Sequence, residues 1–281
     1  MRILQLLRAQ PTQDGDGVNI RRVADFHRLA LDPYLMLDEI RSDDEKDYVG
    51  GFPPHPHRGM ETFTYIRKGG FEHRDQMGHV KAIRAGKVQW MSTGRGVVHS
   101  EMPLADAKDG LHGFQIWINM PAKDKMRPPQ YQDSGELQHS VIEGDGSQLY
   151  LLAGAWDANQ QQAQGPLTQL AADSALADLS LSANSSISID FSRYGFSAVY
   201  LYDGSLQSPS GGAVTAGQLL VLDSQTQVQI VAGEQGAGML LLAGNPIGEA
   251  VVQMGPFVMN TQAEIMQAVR DYQSGKFGDI V

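Results

Sequence analysis

Cysteine is absent from the 281 residues, which excludes disulfides, thiolate zinc sites, iron–sulfur clusters and cysteine nucleophiles together. Any metal must therefore be held by imidazole and carboxylate. No run of about 18 apolar residues exists to span a membrane, and the apolar part of Met1-Arg-Ile-Leu-Gln-Leu-Leu7 is too short for a signal peptide. A soluble cytoplasmic protein without membrane partners is expected, nuclear as well if the source is eukaryotic. A positive excess is also missing. The net charge of −10 argues against binding phosphate backbones, so no direct sequence-specific nucleic-acid contact is expected.

What is present is unevenly spread. Residues 1–133 carry 19 Lys+Arg and 18 Asp+Glu, whereas 134–281 carry 3 and 14. Seven of the eight histidines (His27, His55, His57, His73, His79, His99, His112) lie in the first 112 residues, and only His139 follows. The two halves differ in chemistry even if they share a fold.

The 31 glycines punctuate short apolar or alternating runs, a pattern of many strands and tight turns that reads as an all-β sandwich or barrel. Strands are expected in the second half at 150–156, at 179–191 with an internal turn, and at 198–202, 219–222, 228–231 and 239–242. The breaker-rich stretch Lys125–Glu136 places a domain junction near 134, giving units 1–133 and 134–281. Residues 160–164 read as a polar loop. One helix closes the chain: Thr261-Gln-Ala-Glu264 is a capping box, Ile265, Met266, Val269 and Tyr272 form an apolar stripe, and Gly275 suits a C-cap. An internal repeat aligns Phe63–Gly69 with Ala198–Gly204 at an offset of 135, and Ala85–Ser92 with Ala216–Asp223 at 131. Two copies of one fold follow from it.

The densest chemistry is Gly50-Gly-Phe-Pro-Pro-His55-Pro-His57-Arg-Gly-Met-Glu61. Residues i and i+2 of a strand share a face, so His55 and His57 can present two imidazoles to one ion. His-x-His alone is a weak signal. It gains weight from Gly94-Arg-Gly-Val-Val-His99-Ser-Glu101, where His99 and Glu101 repeat the spacing after a glycine turn. Three histidines and one carboxylate leave coordination positions open and suit iron, nickel, copper, cobalt or manganese, without choosing among them. The repeat offsets carry these four positions to Asp190, Ser192, Ile230 and Ala232. One metal in the first unit and none in the second is the expectation.

Longer blocks carry a family likeness. His55–Glu61, Gln89–Glu101, His112-Gly-Phe-Gln-Ile-Trp-Ile-Asn119, Pro129-Gln-Tyr131, Gly255-Pro-Phe-Val-Met-Asn-Thr261 and Leu31–Glu39 resemble the pirin family over nearly the whole chain. The resemblance implies a bicupin, two jelly-roll β-barrels face to face, with a single mononuclear iron(II) site in the N-terminal barrel. Nickel, manganese, cobalt, copper or zinc would suit the same donors. It assigns His55, His57, His99 and Glu101 as ligands, whereas generic cupins use the glutamate of the first motif, here Glu61. Glu61 is then a supporting residue or a buried ion-pair partner of Arg58.

Pirins resemble quercetinases, which open the central ring of a flavonol with O2 and release carbon monoxide. That reaction needs a deprotonated 3-hydroxyl, for which Glu101 is the local base, inside a dry apolar pocket. Phe52, Trp90, Phe114 and Trp117 are candidate walls, although both tryptophans read first as core. Gln115, polar within an apolar strand, is a candidate to support the site. His73, His79 and His112 read as turn or core-edge residues, with His79 at the pocket border as the alternative, and Arg21-Arg22 as surface charge. The alternative function implied by the family is a non-enzymatic iron-dependent redox sensor or transcriptional co-regulator acting through a protein partner.

Overall fold

A computed structural model describes residues 2–26, 31–135, 137–208, 212–223 and 227–280. His27 and Glu136 lie outside the described residues. The chain forms two compact units that are discontinuous in sequence: Gln10–Gly135 with Ile247–Val281, and Met1–Ala9 with Glu136–Pro246. The contiguous split expected near residue 134 therefore changes at both ends. Its physical reason is pairing. Ile3–Arg8 zips antiparallel onto Gln218–Leu222, and the C-terminal helix Gln262–Gln273 packs with Phe257–Met259 and Val252–Met254 of the histidine-rich unit.

In that unit a seven-stranded antiparallel sheet has the order Gln130–Asp133, Val88–Ser92, Met60–Lys68, Leu111–Asn119, Tyr34–Ser42, Val18–Ala24, Gln10–Asp14. A four-stranded sheet orders Phe52–His57, Val97–Pro103, Gly70–Asp75, Val80–Arg84. Ile20, Ile40, Ile66 and Leu111 of the first sheet pack with Phe71 and Ile83 of the second in one apolar cluster.

The second unit is an eleven-stranded sheet among the described residues. Its longest strand, Gln227–Gly244, pairs with Ser186–Asp190 through its first residues and with Ser174–Leu181 through its last. Gly236 takes a φ of +79° between these two pairings. The predicted strands at 228–231 and 239–242 are thus one element, and the turn expected within 179–191 falls between Leu181 and Ser186. The polar stretch 160–164 is not a loop. Gln161–Gln164 pairs with Ala155–Ala158 through a turn in which Asn159 and Gln160 both have positive φ, 49° and 62°, as a twisted two-residue hairpin requires.

The repeat holds register for register. Tyr65 faces Val88 as Tyr200 faces Leu219, which are the positions that the two offsets relate. Gly86 N–H donates to Ile66 O at 2.8 Å, and Gly217 N–H to Leu201 O at 2.7 Å. The offsets fail at the ligand positions, because there Ile230 pairs with Ile187 and Asp190 with Gln227. Ile187, Ile189, Val228 and Ile230 fill that interior.

Candidate metal centre

His55 and His57 sit on Phe52–His57, and His99 and Glu101 on its neighbour Val97–Pro103. His55 stands directly opposite His99, but Glu101 is opposite Phe52, so Pro53-Pro54 bulges out of register. Prolines have no N–H to lose from the ladder. The bulge turns Pro53 O toward His55 Nδ1 at 2.7 Å, and Pro256 O lies 3.3 Å from His57 Nδ1. A carbonyl against Nδ1 selects the tautomer that leaves Nε2 with its lone pair free. The turn before His99 needs its glycines: Gly94 and Gly96 have φ of +46° and +141°, and a Cβ on Gly94 would stand 2.2 Å from Arg127 O.

The rings of His55, His57 and His99 converge, with centroids 4.4 to 5.0 Å apart and donor nitrogens within 4.8 Å of one another. His99 belongs equally to a second group with His73 and Glu101, so the four expected ligands are brought together in two overlapping sets. His99 is fully buried, and neither of its ring nitrogens has a hydrogen-bond partner among the described residues. Burial, then the neighbouring histidines, hold His99 well below the usual imidazole pKa; burial and His55 do the same for His57. Neutral imidazoles with unpartnered nitrogens are the ligating form. The group fits a metal ion, and the donor set of nitrogens and a carboxylate suits a divalent transition metal.

Glu101 is 3% exposed and tied from the seven-stranded sheet. Its Oε1 accepts from Gln89 Nε2 and from Thr64 Oγ1, the latter at 2.9 Å. Thr64 Oγ1 also lies 2.7 Å from Gln115 Oε1 and accepts from Gln89 Nε2 at 3.1 Å. Gln115 thus reaches Thr64 rather than Glu101 itself, and lines the same cavity as the carboxylate.

A cavity of about 620 Å³ opens onto His55, His57, Glu101 and Gln115, walled by Phe52, Trp117, Phe26, Met36, Ile20 and Ile40. Trp117 meets His57 edge-on at 5.2 Å. Two predicted wall residues lie elsewhere: Trp90 and Phe114 are 1% and 0% exposed and belong to the core, away from the cavity. Glu61 does form a buried ion pair, but with Arg127 at 3.0 Å. Arg58 instead pairs with Asp271 of the C-terminal helix at 2.9 Å and lies over Phe277. The expected pairing of the two fails because Arg58 turns to that helix.

The remaining histidines are more engaged than the sequence suggests. His73, 0% exposed, and His79 both bond Asp75, and both stack on Tyr131 at 4.6 and 4.7 Å. Burial raises Asp75, but the two histidines outweigh it and leave the carboxyl low. His112 pairs with buried Glu39 at 3.1 Å. Arg22 is no free surface charge: it lines the cavity beside Asp38. Missed outright were Thr64, Gln89, Asp38 and the carbonyl of Pro256. The first three carry the same signal as Gln115, a polar side chain at an inward position of a buried strand.

Comparison with known proteins accords with this geometry. Residues 17–118 match the family described as Pirin, and residues 176–278 the Pirin C-terminal cupin domain. The chain is 48% identical over 278 residues to a Vibrio cholerae protein named "Putative quercetin 2,3-dioxygenase", covering 98% of this chain and 97% of that one. A Pseudomonas aeruginosa protein of the same description is 37% identical over 97% of this chain and 96% of its own length. A crystal structure of quercetin 2,3-dioxygenase from Acinetobacter baumannii superposes with a TM-score of 0.87 at 29% identity, covering 100% of this chain and 99% of that one. With both of its cupin domains matched and its relatives aligned end to end, the chain belongs to the pirin family.

Proposed function

We propose that this protein is a metal-dependent dioxygenase that opens the central ring of a flavonol such as quercetin with O2 and releases carbon monoxide. The observation that carries this reading is that His55, His57 and His99 converge, that His99 also groups with Glu101, and that His55, His57 and Glu101 line a substrate-sized cavity. His55, His57, His99 and Glu101 would hold the ion, iron(II) by family resemblance. When bound, such an ion supplies the Lewis-acid and redox chemistry that reaction with O2 requires.

The chain's own residues do the rest. Pro53 O and Pro256 O fix two imidazoles with Nε2 turned inward. Gln89 and Thr64 hold Oε1 of Glu101, so Oε2 is the atom that takes the proton of the substrate's 3-hydroxyl. Trp117, Phe52 and Met36 exclude water around the flat rings. A site serving only as a redox switch needs no cavity of about 620 Å³, which favours catalysis over the sensor reading.

The test is iron-loaded protein with quercetin under air, following loss of flavonol absorbance and release of carbon monoxide. Turnover is expected, with a fall of about 100-fold or more and loss of metal in His57→Ala. A metal-replete protein without turnover, or an unimpaired variant, would contradict the reading.

A further inference from the structure

Strand register aligns one polar row across the inner face of the seven-stranded sheet. Asp133 pairs with Gln89, Gln89 with Thr64, Thr64 with Gln115, Gln115 with Asp38, and Asp38 with Arg22. Directly paired residues share a face. On either side of the row that face turns apolar, with Ile20, Ile40 and Ile66 along one edge and Met36 and Trp117 along the other. The row's middle serves the candidate metal centre, because Thr64 and Gln89 hold Glu101. Its far end, Asp38 and Arg22, lines the same cavity.

That end is a built acceptor. Arg22 Nε donates to Asp38 Oδ1 at 3.0 Å and Nη2 to Oδ2 at 2.7 Å, while Nη2 also donates to Asp14 at 2.8 Å. A guanidinium already gripping two carboxylates is not an anion site, whereas each oxygen of Asp38 keeps a second lone pair for a donor. Asp38 is 3% exposed. Burial raises it to about 6 in spite of Arg22, with Asp14 and Asp25 as the other charged groups facing it. Its charge is under-compensated, and added donors would relieve it. Neighbouring strands lie about 4.8 Å apart, so Asp38 stands roughly 10 Å from Thr64. An elongated polyphenol with its reacting ring at Glu101 spans that distance.

We infer that Asp38, held by Arg22, selects the substrate by accepting hydrogen bonds from adjacent hydroxyls on its distal aromatic ring. The inference rests on the reading of this cavity as a flavonol site. Trp117, Phe52 and Phe26 supply the flat apolar walls that an aromatic ring needs, and Asp38 contributes the polar contact that fixes its direction.

The experiment compares quercetin, with two distal hydroxyls, kaempferol, with one, and galangin, with none. Dissociation constants from fluorescence quenching and kcat/KM are measured on metal-replete protein and on Asp38→Asn. Wild-type protein should bind quercetin about tenfold or more tighter than galangin, as hydrogen bonds to a charged group imply. In Asp38→Asn the preference should fall to within about threefold, with quercetin losing more affinity than galangin. A second readout needs no variant: the quercetin preference of wild-type protein should shrink as pH falls through about 6 and Asp38 gains its proton. Equal binding of the three flavonols, equal weakening of all three in the variant, or a preference constant from pH 5 to 8 would overturn the inference. Preserved discrimination without turnover would refute ring opening and leave the Asp38 contact standing, and absence of any flavonol binding would refute both.

Discussion

Thr64 has one hydroxyl proton and two acceptors within reach, Glu101 Oε1 at 2.9 Å and Gln115 Oε1 at 2.7 Å. If the Gln115 amide presents its N–H₂ to Thr64 instead, the hydroxyl proton goes to Glu101 and every partner is satisfied. Thr64→Val keeps the shape and removes that bond. It is expected to lower kcat/KM for quercetin about tenfold with the metal-to-protein ratio unchanged, and an unchanged rate would show that the hydroxyl does not position Glu101. At this scale His55, His57 and His99 were legible because strand spacing fixes a face, and Gln115 because a lone polar residue in an apolar strand needs a partner. Arg22 and Asp38 were not. A consecutive Arg-Arg reads as surface charge, and only pairing with another strand shows which of the two turns inward. Arg58 was legible as a charge but not in its pairing, since its partner Asp271 lies 213 residues away.

Among the elements, the C-terminal helix shows what sequence pattern resolves and what it does not. Its cap is as read: Thr261 Oγ1 accepts from Glu264 N–H at 3.2 Å, and Gly275 has φ +75°. Its buried face keeps part of the expected stripe, with Ile265 buried and Val269 packed against the same cluster. Met266 and Tyr272 are each 41% exposed, whereas Ile265, Ala268 and Asp271 are buried. A buried aspartate breaks a hydrophobic stripe in the sequence, but in the fold it is the anchor, bonded to Lys276 and Arg58. Lys276, then Arg58, hold its carboxyl well below the usual range. Such a group stabilises the fold above the ordinary carboxylate pKa of about 4, and the contribution is lost as pH falls through the lower folded value. Asp271→Ala is expected to cost about 2 to 4 kcal/mol at pH 7 by leaving Arg58 unpaired. In Asp271→Asn the acid-side slope of stability against pH should be shallower than in wild-type protein; parallel curves would contradict the assignment. The turn before His99 is equally constrained. A Cβ on Gly96 would stand 2.8 Å from the Phe277 ring, and its φ of +141° disfavours any side chain. Gly96→Ala should destabilise by about 1 to 3 kcal/mol in chemical denaturation.

On the scale of the whole molecule, the duplication was legible and the partition of the chain was not. Aligned segments such as Phe63–Gly69 and Ala198–Gly204 occupy matching registers, because a repeated strand pattern specifies repeated pairing. The junction near residue 134 has compositional breakers to announce it. Nothing local announces that Ile3–Arg8 belongs to the second unit, or that 247–281 belongs to the first. Those segments are placed by long-range pairing and burial, which composition does not encode. The placement has a consequence for the metal: Pro256 O, which orients His57, comes from the returning segment. The acidic excess of the second half has no counterpart in the geometry of the candidate site, since Glu101, Asp38 and Asp14 all come from the first.

The most direct test of the account is crystallographic. Crystals grown with iron(II) under anaerobic conditions, or with nickel(II) as a redox-inert substitute, are measured at the absorption edge of the metal. One anomalous peak per chain is expected, about 2.0 to 2.3 Å from His55, His57, His99 and Glu101, with the cavity wall of Trp117 and Gln115 beside it. A peak coordinated by His73 in place of His55 and His57, a peak in the second unit, or no peak from metal-replete protein would contradict it.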